Sequence, residues 1–134
     1  MLPHCIKTTI SEAADVGYAA LDAKNFARDL EFSISDQYII ATAVSELAQN
    51  MFKYANFGHI SLICIENQRE IGIKIIAQDS GPGIEKIDLA MQDKFSTGGT
   101  LGVGLPGTKR LMDDFHIESV VGSGTKVVVK KWRK

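Results

Sequence analysis

Hydrophobic and polar positions change their spacing several times along this chain, and each change marks an element. Residues His4 to Ile10 alternate in polarity, which predicts a strand. Ser11 then reads as an N-cap for a helix whose apolar positions are Val16, Ala20, Ala23, Ala27 and Leu30. A second helix is predicted after Ser33-Ile34-Ser35-Asp36, because Ile40, Val44, Leu47, Met51 and Tyr54 recur at the steps of a single helical stripe. Two β-rich runs follow, Gly58 to Glu66 and Ile71 to Asp79, separated by Asn67-Gln68-Arg69-Glu70, which predicts an antiparallel hairpin. From Gly81 to Gly107 the chain is rich in glycine, with a short apolar-patterned stretch from Ile84 to Met91 and a loop from Lys94 to Val103. A third helix is predicted from Leu105 to Phe115, with Pro106 suited to its first turn. Two last strands, His116 to Val121 and Thr125 to Trp132, meet at Gly122-Ser123-Gly124. Helices and paired strands in this order predict an α+β fold, a two-layer sandwich with the helices on one face of a mostly antiparallel sheet.

Composition narrows the function. At 134 residues and 45% hydrophobic, the chain predicts one domain over residues 1–134, with a sizeable core. A formal net charge of −1 gives no electrostatic reason to expect nucleic acid or an anionic membrane as partner, and the basic tail Lys130, Lys131, Arg133, Lys134 reads as a solvated chain end. No apolar run reaches the roughly 18 residues of a membrane span, and Met-Leu-Pro-His-Cys lacks signal-peptide character, so a cytoplasmic location is expected. Cys5 and Cys64 lack the spacing of a metal site, and His4, His59 and His116 are scattered, so reduced thiols and no histidine metal centre are expected.

Three features break the patterning. By the period of two, Ile71, Ile73, Ile75 and Ala77 share one strand face, and the next residue on it is Asp79. A carboxylate at the core edge needs donors, supplied by backbone amides, a cation or a ligand; capping its own Ser80-Gly81-Pro82-Gly83 turn would serve equally. On the second helix, Glu46 and Asn50 lie one turn apart on one flank of the apolar stripe. Together they could supply a general base and an oxygen ligand for Mg²⁺, or form an ordinary solvated face. Gly102-Val103-Gly104-Leu105-Pro106-Gly107 imitates a dinucleotide fingerprint but lacks the preceding strand, and Thr108 before Lys109 is the wrong order for a P-loop. What survives is a glycine-rich entry to a helix N-terminus, whose amides suit phosphate. Thr125 shares a strand face with Val127 and Val129, a placement that by itself says nothing about function.

Taken in order, Glu46-Leu47-Ala48-Gln49-Asn50, Asp79-Ser80-Gly81-Pro82-Gly83, Gly102-Val103-Gly104-Leu105 and Gly124-Thr125 resemble the N, G1, G2 and G3 boxes of the GHKL ATPase/kinase superfamily, whose fold is the Bergerat fold. Within it, the chain is similar to the small bacterial anti-sigma-type serine/threonine kinases, and most of all to stressosome switch kinases. The runs that carry this are Ser45 to Asn50, Asp79 to Ile84, Lys94 to Gly99 and Leu105 to Phe115.

The resemblance implies ATP and Mg²⁺ as cofactors and a role for each matched residue. Asp79 would accept from the adenine amino group, and Gly81 and Gly83 would let the backbone approach the base. Asn50 would ligate Mg²⁺, and Glu46 would orient or deprotonate the attacking hydroxyl. Amides around Gly102, Val103, Gly104 and Leu105 would stabilise the phosphates, Thr125 would support the adenine end, and Thr97 would lie in a short lid from Phe95 to Leu101. It also implies STAS-domain proteins as substrates or scaffold and a downstream phosphatase as a further partner, with the oligomeric state left open. The competing expectations are a nucleotide-responsive binding module or anti-sigma factor that acts by sequestration, and plain ATP hydrolysis.

Overall fold

A computed structural model describes residues 5–55, 57–84, 91 and 104–134. It orders the described elements as β1 (Cys5–Ile10), α1 (Ala13–Asp29), α2 (Ile34–Ala55), β2 (Gly58–Asn67), β3 (Glu70–Asp79), α3 (Gly104–Leu111), β4 (Asp114–Val120) and β5 (Gly124–Trp132). The five strands form one sheet in the order β1-β2-β3-β5-β4, and every neighbouring pair is antiparallel. The predicted two-layer α+β sandwich is therefore the observed architecture.

Local chemistry explains where the helices begin. The cap of α1 is Glu12 rather than the predicted Ser11. The reason is Asp15, whose carboxylate accepts the backbone N–H groups of both Ser11 and Glu12 at 3.0 Å and draws the start of the helix one residue further on. Glu31, in the left-handed region at φ 64°, ends the helical run. Ser33 starts the next helix by accepting the Asp36 N–H on its hydroxyl at 3.1 Å. Along α2 the predicted stripe faces inward, with Ile40, Val44, Leu47 and Met51 buried, while Ala19, Ala23, Phe26 and Ala27 supply the matching face of α1.

The hairpin forms in continuous register from Gly58↔Asp79 to Asn67↔Glu70, which narrows its turn to Gln68-Arg69. Ile73 and Ile75 at its centre are 0% exposed and meet the helical layer together with Ile60, Leu62 and Val129. Burying a side chain of this size is worth about 2 kcal/mol. The last third of the chain departs from expectation in one respect. The helix predicted to reach Phe115 stops at Leu111, because the Asp113 N–H donates to the Lys130 carbonyl at 2.9 Å and recruits the chain into the sheet. Phe115 thus belongs to β4, which runs Asp114–Val120 rather than His116 to Val121. Most of the predicted stretch from Ile84 to Met91 and the whole loop from Lys94 to Val103 lie outside the described residues.

Candidate functional site

The functional residues collect where the C-terminal half of α2 faces the ends of β3 and β5. Asp79 is the last residue of β3, at the end of the buried face made by Ile73, Ile75 and Ala77. Its Oδ1 accepts two backbone N–H groups, from Gly81 at 2.9 Å and from Thr125 at 3.2 Å. The carboxylate therefore caps its own turn and ties that turn to β5. Among the described residues, no hydrogen bond engages Oδ2.

Two glycines allow this approach. Gly124 adopts φ +126°, and a Cβ there would overlap the Asp79 carbonyl. Gly83 adopts φ +81°, and its Cβ would run into the Val120 carbonyl. The turn after β3 and the turn between β4 and β5 are stitched further by Gly122 N–H to the Pro82 carbonyl at 2.8 Å.

On α2, Asn50 Nδ2 donates to the Glu46 carbonyl at 3.0 Å, which turns Oδ1 away from its own helix; no hydrogen bond engages that oxygen among the described residues. Glu46 is more enclosed than the sequence suggests. It is only 6% exposed, and its Oε2 accepts the Gly104 N–H at 3.0 Å. The glycine amide expected to stand open at the helix N-terminus is thus already occupied by a carboxylate reaching across from α2. The same helix start is closed from within by Thr108, fully buried, whose hydroxyl donates to the Gly104 carbonyl at 2.9 Å.

A cleft open to solvent lies between these groups. Asn50, Asp79 and Thr125 give it polar walls, and Leu47, Met51, Tyr54, Ala77, Ile84 and Val127 give it an apolar lining. Leu105 closes one side from α3. An apolar slot with a few convergent polar groups suits a flat heteroaromatic ligand. Among the described residues no group of three or more His, Cys, Asp or Glu gathers, so a cation at this cleft would draw on Asn50 Oδ1 and few other protein oxygens. That donor set fits Mg²⁺, which keeps waters and takes phosphate oxygens as ligands.

Of the residues singled out in the sequence, the structure brings Asn50, Asp79 and Thr125 to one cleft, Glu46 to the α3 N-terminus at Gly104, and Gly81 and Gly83 to the turn after β3. Thr97, Gly102 and Val103 lie outside the described residues.

One residue was missed. Ser119 sits opposite Thr125 in the β4–β5 register, and its hydroxyl contacts that of Thr125 at 2.7 Å. It also accepts the Ile84 N–H at 2.6 Å. The signal existed in the sequence, because Ser119 follows Phe115 and Ile117 on one strand face as Asp79 follows Ile75 and Ala77.

Residues 19–134 match the family model described as Histidine kinase-, DNA gyrase B-, and HSP90-like ATPase. The chain is 48% identical over 118 residues to the serine/threonine-protein kinase RsbT of Bacillus subtilis, covering 88% of this chain and 89% of that protein. It is 30% identical over 128 residues to the anti-sigma F factor of Clostridium acetobutylicum, covering 91% and 88%. Among solved structures, its fold is similar to that of the mycobacterial sensor histidine kinase MprB, with a TM-score of 0.56 at 15% identity over 98% of this chain and 99% of that one.

Proposed function

Since the chain belongs to the Histidine kinase-, DNA gyrase B-, and HSP90-like ATPase family, we propose that it is an ATP-dependent serine/threonine protein kinase acting in a partner-switching circuit. Residues 1–134 form its ATP-binding kinase domain. The observation that carries this reading is the convergence of Asn50, Asp79 and Thr125 on one apolar-walled cleft, with Glu46 one helical turn before Asn50 and bound to the first amide of α3.

In this reading adenine enters the slot between Met51, Ala77 and Val127, and Asp79 Oδ2 accepts from its exocyclic amino group. Gly81 and Gly83 keep the neighbouring backbone close to the base, and Thr125 supports the same end. Asn50 Oδ1 would hold Mg²⁺, which would supply charge neutralisation to the phosphates when bound. Gly104 and Leu105 would offer amides to the phosphates at the α3 N-terminus, and Gly102, Val103 and Thr97, outside the described residues, keep the phosphate-binding and covering roles that the resemblance implies. Glu46 takes the proton of the acceptor Ser or Thr hydroxyl as its oxygen bonds to the γ-phosphorus and the bond to the β-γ bridging oxygen breaks, leaving ADP. Glu46 reaches that state by exchanging Gly104 for the substrate hydroxyl, while the Gly104 amide passes to phosphate.

The similarity to RsbT and to the anti-sigma F factor supports protein partners of two kinds, an acceptor and an alternative binder. We assign the acceptor to a STAS-domain regulator or scaffold of a stressosome pathway and the alternative partner to a downstream phosphatase, in the cytoplasm. No helix among the described residues is long and apolar enough to cross a membrane.

Incubation with labelled ATP, Mg²⁺ and a STAS-domain protein tests the reading. Label is expected on Ser or Thr of the partner, and Glu46→Gln should lower the rate about a hundredfold or more. Unchanged transfer after Glu46→Ala or Asn50→Ala would remove the assigned roles. A second reading, sequestration with little catalysis, draws on the anti-sigma F factor similarity. Asp79→Asn separates the two: under the kinase reading it abolishes transfer and spares binding of the unmodified partner, whereas loss of nucleotide-dependent sequestration without any transfer in the parent protein favours the second. Phosphate release without a protein acceptor would instead mark plain hydrolysis.

A further inference from the structure

Glu46 stands between two uses that exclude each other. Its Oε2 accepts the Gly104 N–H at 3.0 Å, and a backbone N–H has one hydrogen, which serves one strong acceptor at a time. That N–H opens α3, the helix start to which the nucleotide reading brings the phosphates. Leu105, the next residue, lines the cleft together with Asn50, so the amide stands one residue from the cleft wall. A carboxylate only 6% exposed and a phosphate oxygen cannot converge on one hydrogen there, because both are anions and water screens them little.

The amide is the fixed partner of the pair. The Thr108 hydroxyl, fully buried, donates to the Gly104 carbonyl at 2.9 Å and pins the first turn of α3. The Glu46 carboxylate, by contrast, hangs from α2 on a side chain with several rotatable torsions, so it is the group that moves.

We propose that Glu46 and the phosphate chain of the nucleotide compete for the Gly104 N–H: the carboxylate occupies the amide until phosphate takes it, and only the displaced carboxylate can meet an acceptor hydroxyl. The inference rests on the nucleotide-binding reading above and adds an order to it, nucleotide before acceptor. The assigned base is then also a restraint on the affinity of the nucleotide it works with. Removing it has a sign opposite to the usual loss of a site residue. Glu46→Ala leaves the Gly104 N–H without an acceptor, phosphate supplies one, and ATP binds more tightly. Adenosine, which has no phosphate, gains nothing. Relief of charge repulsion alone would help ATP equally in Glu46→Ala and Glu46→Gln. Under competition Glu46→Gln still offers the amide an oxygen, and a neutral acceptor is roughly half as strong as a charged one, so it gains less.

Dissociation constants of ATP with Mg²⁺ and of adenosine, measured by calorimetry on the full chain and on both variants, test this. ATP should bind roughly tenfold more tightly to Glu46→Ala and about threefold more tightly to Glu46→Gln, with adenosine unchanged in both. Unchanged or weaker ATP binding by a folded Glu46→Ala, equal gains in the two variants, or a matching gain for adenosine overturns the proposal. Should Glu46→Ala fail to give a cooperative melting transition, the amide resonance of Gly104 in the parent protein carries the test. It must move on addition of ATP with Mg²⁺ and stay in place with adenosine; a resonance that ATP leaves unmoved, or that both ligands move alike, overturns the competition. Absence of binding of either ligand by the parent protein overturns the nucleotide reading itself, whereas ATP binding that is insensitive to Glu46 overturns only the competition.

Discussion

At Asp79 a single oxygen, Oδ1, gathers amides from its own turn and from β5, so that the other oxygen is presented at the cleft by a rigid frame. Gly124 is the residue that makes this possible, through a backbone conformation open to glycine and contact with the Asp79 carbonyl. Gly124→Ala is expected to cost about 2–3 kcal/mol from strain and overlap, together with loss of nucleotide affinity; denaturant unfolding beside calorimetry checks both. Glu46 has a double position, as assigned base and as acceptor of the Gly104 amide. Glu46→Gln keeps an oxygen for that amide and should melt near the parent, whereas Glu46→Ala leaves the amide unsatisfied and should lose about 1–3 kcal/mol. Both variants should slow phosphotransfer about a hundredfold or more. If Glu46→Gln melts as early as Glu46→Ala, the stabilising part belongs to charge rather than to the hydrogen bond.

Among the elements, the helices show what patterning reveals and what it hides. The stripe of α2 was legible because Ile40, Val44, Leu47 and Met51 keep helical steps, but the helix starts at Ile34, inside the run Ser33-Ile34-Ser35-Asp36 after which it was expected, because the Ser33 hydroxyl caps it. Ser33→Ala is expected to cost about 1 kcal/mol in thermal or denaturant unfolding. The α1 start was misjudged by one residue because the deciding group, Asp15, acts backward from within the helix. Hydrogen bonds from the Ser11 and Glu12 amides hold the Asp15 carboxyl below its ordinary value of 3.8. A lowered folded-state value means the contribution is complete above the ordinary value and is lost as pH falls through the lower one. The stability gap between the parent and Asp15→Ala should thus be constant at neutral pH and shrink only below about pH 4, as measured by denaturant unfolding across pH. The end of α3 was misjudged for a different reason: Phe115 suits a helix stripe and a strand face equally, and the pairing of Asp113 with Lys130 that decides between them is long-range.

For the whole molecule, the sheet order β1-β2-β3-β5-β4 brings the ends of β3 and β5 side by side beneath α2, which is how segments 46–50, 79–84 and 119–125 meet. The alternation of strands and helices revealed that architecture, and Asp79 and Thr125 were visible as polar residues ending apolar faces. Their mutual hydrogen bond, the enclosure of Glu46 and the linkage through Ser119 were not visible, because each depends on partners 46, 58 or 35 positions away. The central claim is that these segments make one adenine-nucleotide site. Calorimetric titration of ATP with Mg²⁺ into the parent protein and into Asp79→Asn tests it most directly. One-to-one binding by the parent that Asp79→Asn weakens by tenfold or more is the expected result, while no binding by the parent, or equal binding by a folded Asp79→Asn, contradicts it.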